Sequence, residues 1–366
     1  MHVKPFKAVY PQTDKIEDIF SFTETVRDNF SEMIRDNLLK YTDSEDFILY
    51  LIKSPLINAT GIICLTDIED YKDGLILKHE KTLEEKELDQ ANLMTSRQSM
   101  VKPVLLTYPA HEPFEEYLDT LKVEENLIQH FYFDDKDENH FFWRISNIED
   151  KKKVDSFFKD DLKRVYIADG HHRLATFFRL NEEQPDNNFR YILSVFIPFK
   201  GLNIHPFHRI ISLSEKMKES QILDSISELC FWERLDEFFP PKFKYNFIMH
   251  TGKSLYACVW KPSLLEKYKF EPLILDSSLL NAVLFRQIFD VKDARTDERI
   301  KYVEGYKGWE GFEKALHKGK HNIGFYLYPV AFEDFQKVSD LHLTLPPKST
   351  WFEPRIRNGL VIHDFS

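Results

Sequence analysis

The stretch VYIADGHHRLATFF, residues 165–178, places an acid, a glycine, two histidines and an arginine between two apolar runs. The apolar residues 165–167 are typical of a buried strand. Gly170 marks a sharp turn, because a residue without a side chain adopts backbone conformations that other residues avoid. Residues 173–181 have the spacing of a helix. The stretch therefore predicts a strand-to-helix corner.

The residues at this corner suit an anion. Gly170 would let the backbone and a ligand approach closely, and a helix beginning after it offers unpaired N–H groups and a positive dipole end. His171 and His172 add donors at the same end, and the guanidinium of Arg173 can grip a phosphate with two parallel hydrogen bonds. The sequence predicts a phosphate-binding corner.

Asp169 has the wrong charge for a phosphate site. It becomes useful if its carboxylate accepts a proton from a hydroxyl group or helps to hold Mg²⁺. The structural alternative is that Asp169 caps the helix, since aspartate is a favoured N-cap residue. A zinc site is less well supported, because adjacent histidines point in different directions and the sequence has no HExxH motif.

Two further clusters combine residues that bind anions. Residues 77–82 read LKHEKT, and residues 346–359 read PPKSTWFEPRIRNG. The first cluster is equally typical of a solvated, charged turn. The second is equally typical of a structural clasp, because two prolines and a Trp-Phe pair would tie it down. The candidate ligands in the two clusters are Lys78, His79, Glu80, Lys81, Lys348, Ser349 and Thr350.

Composition limits the classes of protein to which the chain can belong. The chain has 366 residues, of which 43% are hydrophobic and 30% charged, and a formal net charge of -11. That negative balance argues against a nucleic-acid or anionic-membrane partner. Three scattered cysteines without CxxC spacing are expected to be buried thiols in a reducing compartment. With no secretory signal and no long apolar run, we expect a cytoplasmic protein that acts on a small molecule; a homodimer stays open.

Alternating and helical patterns follow one another along the chain and predict an α+β fold with mixed sheets. We expect a boundary near residue 213, between a catalytic part (1–213) and a C-terminal α+β part (214–366). The expected strands lie within 6–11, 46–54, 59–68, 102–109, 133–145, 163–168, 189–199, 244–261 and 322–330. The expected helices are 15–41, 83–100, 111–131 after its proline, 150–161, 173–181, 214–237, 276–290 capped by Asp276, and 331–343.

Several motifs together resemble one known family. DGHHRLATF, LKHEKTLEEKE, LDSSLLNAVL, RTDERIKYVEG and above all PPKSTWFEPRIRNGLVIHD resemble the bacterial family called domain of unknown function 1015. The resemblance runs over essentially the whole chain, and the terminal motif is its most specific part. The family label itself implies no reaction.

The corner alone resembles a wider group. Strand, DGHHR and helix are similar to the ParB/sulfiredoxin-like fold, which includes archaeal free serine kinases that use a nucleotide. Sulfiredoxin-like members carry a cysteine where this sequence has His171, so the sulfur chemistry is not implied. The kinase branch implies ADP or ATP with Mg²⁺, and it assigns the phosphate and catalytic corner to Asp169, His171, His172 and Arg173.

Two positions depart from the family pattern. Members commonly have a Pro-Pro-Tyr-Asp segment after the first strand, where this sequence reads TETVRDNFSEM, and an Asp-Arg pair where it has Asp89 and Gln90.

Three functions therefore stay open. The first is phosphoryl transfer to a small hydroxyl compound, free serine foremost, with Asp169 or Glu80 as proton acceptor. The others are a phosphometabolite-binding regulator without turnover and a phosphatase with His171 as nucleophile.

Overall fold

The computed structural model describes residues 1–184, 188–213, 217–294 and 296–366. The chain forms two compact units, one of Met1–Asn203 with Pro354–Ser366 and one of Ile204–Glu353. This division falls before the expected boundary at residue 213, because the strand Asn203–Ser212 pairs with strands of the second unit. It also returns the last residues of the chain to the first unit, which the sequence did not predict.

The strands are short to medium in length and occur throughout the chain. In chain order they are β1 (Val3–Lys4), β2 (Ala8–Pro11), β3 (Leu39–Tyr41), β4 (Phe47–Lys53), β5 (Asn58–Asp67), β6 (Ile76–Leu77), β7 (Ser99–Met100), β8 (Val104–Tyr108), β9 (Leu127–Phe133), β10 (Glu138–Ile145), β11 (Val165–Asp169), β12 (Tyr191–Pro198), β13 (Asn203–Ser212), β14 (Cys230–Leu235), β15 (Asn246–His250), β16 (Leu255–Trp260), β17 (Ile300–Glu304), β18 (Asn322–Leu327), β19 (Thr350–Glu353) and β20 (Ile362–Asp364).

Helices alternate with these strands. In chain order they are α1 (Ile19–Arg35), α2 (Glu69–Lys72), α3 (Glu84–Arg97), α4 (Glu112–Thr120), α5 (Ile148–Ser156), α6 (His171–Glu183), α7 (Glu219–Ser227), α8 (Pro262–Leu265), α9 (Asp276–Leu279), α10 (Arg286–Ile288), α11 (Gly308–Leu316) and α12 (Phe332–Asp340). Wider π-helical turns, Phe157–Asp161 and Leu280–Phe285, continue α5 and join α9 to α10. With strands and helices in both units, the expected α+β class is confirmed.

A large mixed sheet organises the first unit. Within the described residues it has nine strands in the order β6-β11-β8-β12-β5-β4-β10-β9, with β1 added on β5. Most neighbours are antiparallel, whereas β11 runs parallel to β6 and β12 runs parallel to β8. β11 therefore lies between β6 and β8 near one edge of the sheet, and α6 begins where β11 ends.

A second, four-stranded sheet completes the described part of this unit, in the order β3-β2-β20-β7. α1 packs on it because Phe22, Val26, Phe30 and Met33 recur at helical spacing and form one apolar cluster with residues of β2 and β20. This packing fixes α1, and with it the arginine at position 27, within the first unit.

The second unit has its own sheet and core. In the described residues seven strands follow the order β14-β16-β15-β18-β13-β17, with β19 added on β13. The segment from α9 to α10 contributes Leu280, Val283, Leu284 and Phe285 to an apolar cluster that also contains Phe325 of β18. The hairpin expected around residues 251–253 is confirmed, since β15 and β16 pair antiparallel.

Four expected helices run into strands: 15–41 includes β3, 83–100 includes β7, and the two largest overlaps are in 111–131 and 214–237. The segment expected to be helical from 111 to 131 ends as α4 at Thr120, and its last residues form β9. The segment 214–237 contains only α7 before β14 begins at Cys230, and residues 214–216 lie outside the described part. In both places short apolar runs were misread as helix, because a half-buried strand and a helix share such patterns over few residues.

Other expectations concern single residues. Cys64, Cys230 and Cys258 are buried free thiols, as expected. The residue before α9 is Leu275, so Asp276 does not cap the helix; its carboxylate accepts hydrogen bonds from the backbone N–H of Tyr245 and from the indole of Trp260. Across the described ranges, the helices are all too short or too polar to cross a lipid bilayer.

Candidate functional site

Gly170 makes the corner between β11 and α6. Its φ is +103°, a left-handed conformation that favours glycine. Because it has no side chain, it caps α6 with its backbone only. The predicted strand–glycine–helix corner is present, but the helix begins two residues earlier than expected, at His171. The alternative in which Asp169 caps the helix is wrong, because Gly170 occupies that position.

The guanidinium of Arg173 folds back over the corner. Its Nη2 lies 2.7 Å from Oδ2 of Asp169, one helical turn away, and 3.4 Å from the carbonyl oxygen of Pro103. A Cβ atom built on Gly170 would lie 2.7 Å from the same Nη2. The space that the missing side chain opens at Gly170 is therefore taken by Arg173, whereas the sequence suggested a ligand there.

Asp169 is surrounded by cations. Besides Arg173, its carboxylate accepts a hydrogen bond from Nη1 of Arg355 and lies 3.8 Å from Nζ of Lys102. Burial opposes ionisation of Asp169, but the three positive charges outweigh it and hold its pKa below the ordinary value. Since both oxygens bond to guanidinium groups, the residues around Asp169 do not fit an Mg²⁺ ion.

Lys102, in the same cluster, is shifted toward its neutral form, whereas Asp169 is shifted toward its charged form. Burial lowers the pKa of Lys102 to about 8; Asp169 opposes that shift, and the nearby Arg173 and Arg355 add to it. An ammonium group with this pKa is charged in most molecules at neutral pH and can still release its proton. No motif in the sequence marks this lysine, which stands before a proline in an apolar run.

His79 and His171 pack against each other beside the corner. Their ring centroids lie 4.5 Å apart, edge to face, and both side chains are buried. Burial lowers the pKa of His171 to about 3 and that of His79 well below its ordinary value, so both rings are neutral at neutral pH. Glu80 lies next to them, with Oε2 4.0 Å from Nδ1 of His171.

The remaining candidates at this edge have different surroundings. Nε2 of His172 accepts a hydrogen bond of 3.1 Å from the N–H of Leu83, the residue before α3, so His172 helps to begin that helix. Lys78 and Lys81 are exposed, and Nζ of Lys78 lies 5.8 Å from the ring centroid of Tyr71. The structure thus assigns His172 a structural contact and leaves the two lysines at the surface.

A pocket of about 260 Å³ lies beside the corner, within the first unit. Its cationic lining residues come from α1, α3, the segment before β8 and α6: Arg27, Arg97, Lys102 and Arg173. The described residues that line it include no carboxylate. Four positive charges around one concave space form a ready site for an anion.

Arg97 shows how this lining is held. Its Nε and Nη2 donate to the carbonyl oxygen of Ser99, and its Nη1 donates to that of Arg27. Burial, together with the nearby Arg27, lowers the pKa of Arg97 to about 10, so it stays charged at neutral pH. Backbone acceptors fix the guanidinium without neutralising its charge.

Lys348, Ser349 and Thr350 belong to the second unit. Lys348 has an exposed side chain, and its carbonyl oxygen accepts a hydrogen bond of 3.2 Å from Nη2 of Arg209. The hydroxyl of Ser349 donates to the carbonyl oxygen of Pro346 at 2.7 Å, and Thr350 opens β19. These contacts support the clasp interpretation of the terminal motif.

The fold and the site together describe a two-unit α+β protein with a cation-lined pocket at a strand-to-helix corner. A family model described as "Protein of unknown function (DUF1015)" matches residues 3–280, so the chain belongs to that family. The family expected from the motifs is confirmed. Among curated proteins, no significant match is found.

Solved structures show a distant likeness. SbnI with a C-terminal truncation, from Staphylococcus aureus, is 11% identical at a TM-score of 0.43 over 81% of this chain and 85% of its own. A free serine kinase variant in complex with ADP is 11% identical at 0.41 over 83% and 92%. A conserved hypothetical protein from Pyrococcus furiosus is 13% identical at 0.38 over 81% and 93%. At these scores the likeness carries no inference about ligand or reaction.

Sequence reasoning found the corner but missed the pocket. Arg27, Arg97 and Lys102 lie about 70 or more residues before Arg173 in the chain, and each occurs in an ordinary helical or apolar context. Their convergence depends on the pairing of β8 with β11, on the pairing of β7 with β20, and on the packing of α1. A signal was present for Arg355 alone, as part of the terminal motif.

Proposed function

We propose that the first unit binds the phosphate groups of a nucleotide, ADP or ATP, in the pocket lined by Arg27, Arg97, Lys102 and Arg173, and transfers phosphate to a small hydroxyl compound. The observation that carries the proposal is the pocket itself: four cationic side chains line it and, in the described part of the chain, no acid does. Phosphoryl transfer depends mostly on positioning and charge neutralisation, which such a lining supplies.

The role of Asp169 follows from its contacts. A carboxylate whose pKa is held low by three cations is a weak proton acceptor. Its contacts with Arg173, Lys102 and Arg355 instead support a positioning role for those cations. Arg173 can then present its guanidinium to the pocket while one of its nitrogens stays bonded to Asp169.

Glu80 is the better candidate to accept the proton of the acceptor hydroxyl. Its side chain is 46% exposed, so a substrate can reach it, and the buried ring of His171 lies beside it. Free serine is the first acceptor to test, because the DGHHR corner resembles that of free serine kinases.

One observation favours a second function, a regulator that binds a phosphometabolite without turnover. Both oxygens of Asp169 bond to arginines, which removes one of the two proton acceptors that the sequence suggested. A regulator would be stabilised against heat by its ligand and form no product, since a ligand that binds the folded state raises its stability.

The test incubates the purified full chain with serine and either ADP or ATP, with and without added Mg²⁺, and measures phosphoserine by mass spectrometry. We expect phosphoserine with at least one nucleotide. Asp169→Asn should reduce turnover steeply while nucleotide binding survives, because it loosens the cations without removing them. The exposed Asp160→Asn is the matched control and should leave turnover unchanged.

Absence of product with both nucleotides, together with a ligand-induced rise in melting temperature, would favour the regulator. Absence of both product and stabilisation would contradict the pocket as a nucleotide site. Unchanged turnover in Asp169→Asn would remove Asp169 from the mechanism.

A further inference from the structure

Three side chains with metal-binding atoms meet beside the corner. His79 and Glu80 follow β6, and His171 opens α6. One ligand atom from each lies within 4.8 Å of those of the other two. Because β6 and β11 are parallel neighbours, the segments that follow them lie at the same edge of the sheet, which explains how residues 91 positions apart converge.

The two imidazoles are set deep, and one has an unused nitrogen. Relative exposure is 2% for His79 and 6% for His171. Among the described residues, Nε2 of His171 has no hydrogen-bond partner. The nitrogen of this ring that lies nearest Glu80 is Nδ1, 4.0 Å from Oε2, so Nδ1 is the atom that would bind an ion together with Glu80.

The ring of His79 makes a backbone hydrogen bond of the kind that orients histidines in metal sites. Its ring hydrogen-bonds to the backbone of Ile167, in the middle of β11. A backbone carbonyl on one ring nitrogen fixes the tautomer and the orientation of a histidine that binds a metal through the other. The strand thus holds the ring in place.

We propose that His79, Glu80 and His171 bind a divalent transition-metal ion such as Mn²⁺, Co²⁺ or Zn²⁺. Two imidazoles and one carboxylate suit these ions, whereas Mg²⁺ prefers a shell of oxygens. Three protein ligands leave coordination positions open to an oxygen of a substrate or phosphate. A role for the ion in phosphoryl transfer rests on the proposed function, and with the ion bound Glu80 would serve as its ligand instead of as the proton acceptor; the binding of the ion does not rest on that function.

The site closes by a movement of the glutamate. Two ligands at about 2.1 Å from one ion lie roughly 3 to 3.4 Å apart in octahedral or tetrahedral geometry. Oε2 of Glu80 is 4.0 Å from Nδ1 of His171, so the carboxylate must approach the rings when an ion binds. A side chain that is 46% exposed has the freedom to do so.

The second unit contains a similar cluster that serves as an internal control. Ligand atoms of His250, Glu313 and His317 also lie within 4.8 Å of one another. Nδ1 of His250, however, accepts a hydrogen bond of 2.9 Å from the N–H of Gly252. A neutral ring that accepts at Nδ1 carries its proton on Nε2, which is then unable to bind a metal.

The experiment titrates the EDTA-treated full chain with Co²⁺ and follows the visible d–d absorption, with circular dichroism as a check on folding. We expect one bound equivalent with a spectrum of nitrogen and oxygen ligands. Glu80→Gln should weaken binding by more than the roughly 10- to 100-fold that follows when a residue hydrogen-bonded to a metal ligand is lost. Glu313→Gln, the matched control, should bind as the unaltered protein does.

His171→Asn should also lose the spectrum; because that residue is buried, Glu80→Gln carries the test if the His171 variant misfolds. The proposal is overturned if the unaltered chain binds no Co²⁺, if Glu80→Gln binds normally, or if Glu313→Gln alone loses binding. Co²⁺ binding without phosphoserine formation would keep the metal site and count against serine as the acceptor.

Discussion

Each unit contains buried charge, and the two use it differently. In the first unit, Asp169 is ringed by three cations, two of which also line an open pocket. In the second, Arg209 is 0% exposed, has no carboxylate partner among the described residues, and donates to the carbonyl oxygens of Phe207 and Lys348. The first unit therefore has cations that remain available to a ligand, whereas the guanidinium of Arg209 is hydrogen-bonded to backbone carbonyl oxygens.

The difference has a physical basis. A guanidinium that is fully buried without a counter-ion is costly unless it is hydrogen-bonded. Nη1 and Nη2 of Arg209 donate to backbone carbonyl oxygens, although Nε has no partner among the described residues, so Arg209 connects β13 to the terminal motif. Burial lowers its pKa to about 10, yet it stays charged at neutral pH. In the first unit, Asp169 compensates part of the positive charge and leaves an excess that faces the pocket.

The largest expected effect is the loss of folding stability when Arg209 is replaced. Arg209→Ala removes the donor of two carbonyl oxygens and leaves a cavity, so we expect a loss of about 3 kcal/mol in the free energy of unfolding, measured by urea denaturation. Arg190→Ala is the control, because that side chain is largely exposed and its ion pair with Asp67 contributes little. Equal stability of the two variants would contradict the structural role of Arg209.

A buried acid in the second unit gives a pH signature. Burial raises the pKa of Asp276 from 3.8 to about 6, although hydrogen bonds from Tyr245 and Trp260 oppose the shift. Between these pH values the folded protein binds more protons than the unfolded chain, so stability falls as the pH rises from about 4 to about 6. The loss is up to about 3 kcal/mol, at about 1.4 kcal/mol per pKa unit.

Asp276→Asn has no carboxyl to ionise, and its stability should lack this decline. Urea midpoints of both proteins across that pH range check it, and the difference between them isolates Asp276 from the other acids. Parallel pH profiles would mean that the carboxyl ionises in the folded protein as it does in the unfolded chain.

The smallest effect concerns the corner in the first unit. Gly170→Ala strains a residue at φ +103° and pushes a Cβ atom against Arg173, so we expect a loss of about 1 to 2 kcal/mol in thermal unfolding. Gly74→Ala is a close control, because Gly74 also has a positive φ, +74°, but a Cβ there would meet no atom within 4 Å. The excess loss at Gly170 measures the displacement of Arg173; equal losses would mean that the guanidinium moves at no cost.

The sequence predicted what depends on local pattern. The corner at Gly170, the hairpin of β15 and β16, and the α+β class follow from periodicity and turn residues. β9 and β14 were missed because their partners, β10 and β16, decide that they are strands. Local reading also failed for Arg173, whose side chain turns to Asp169 one helical turn away rather than outward.

The site was predictable only in part. Its histidine-glutamate cluster depends on strand pairing, and its cation-lined pocket depends on the packing of a helix on a sheet. His79 and Glu80 stood out by composition, but their meeting with His171 required the parallel pairing of β6 and β11. The pocket required α1 to pack on the small sheet, a contact that no motif encodes. The segment TETVRDNFSEM, expected to depart from the family pattern, contributes Arg27 to that pocket.

The most direct test of the account is calorimetric titration of ADP and ATP into the full chain and into Lys102→Met, with Lys86→Met, an exposed lysine of α3 outside the pocket lining, as control. Loss of a charge-assisted contact with phosphate should raise the Kd at least about tenfold in Lys102→Met and leave the control within about twofold. Equal affinity of all three proteins, or no binding to any, would contradict the claim that the first unit's cations hold a phosphate.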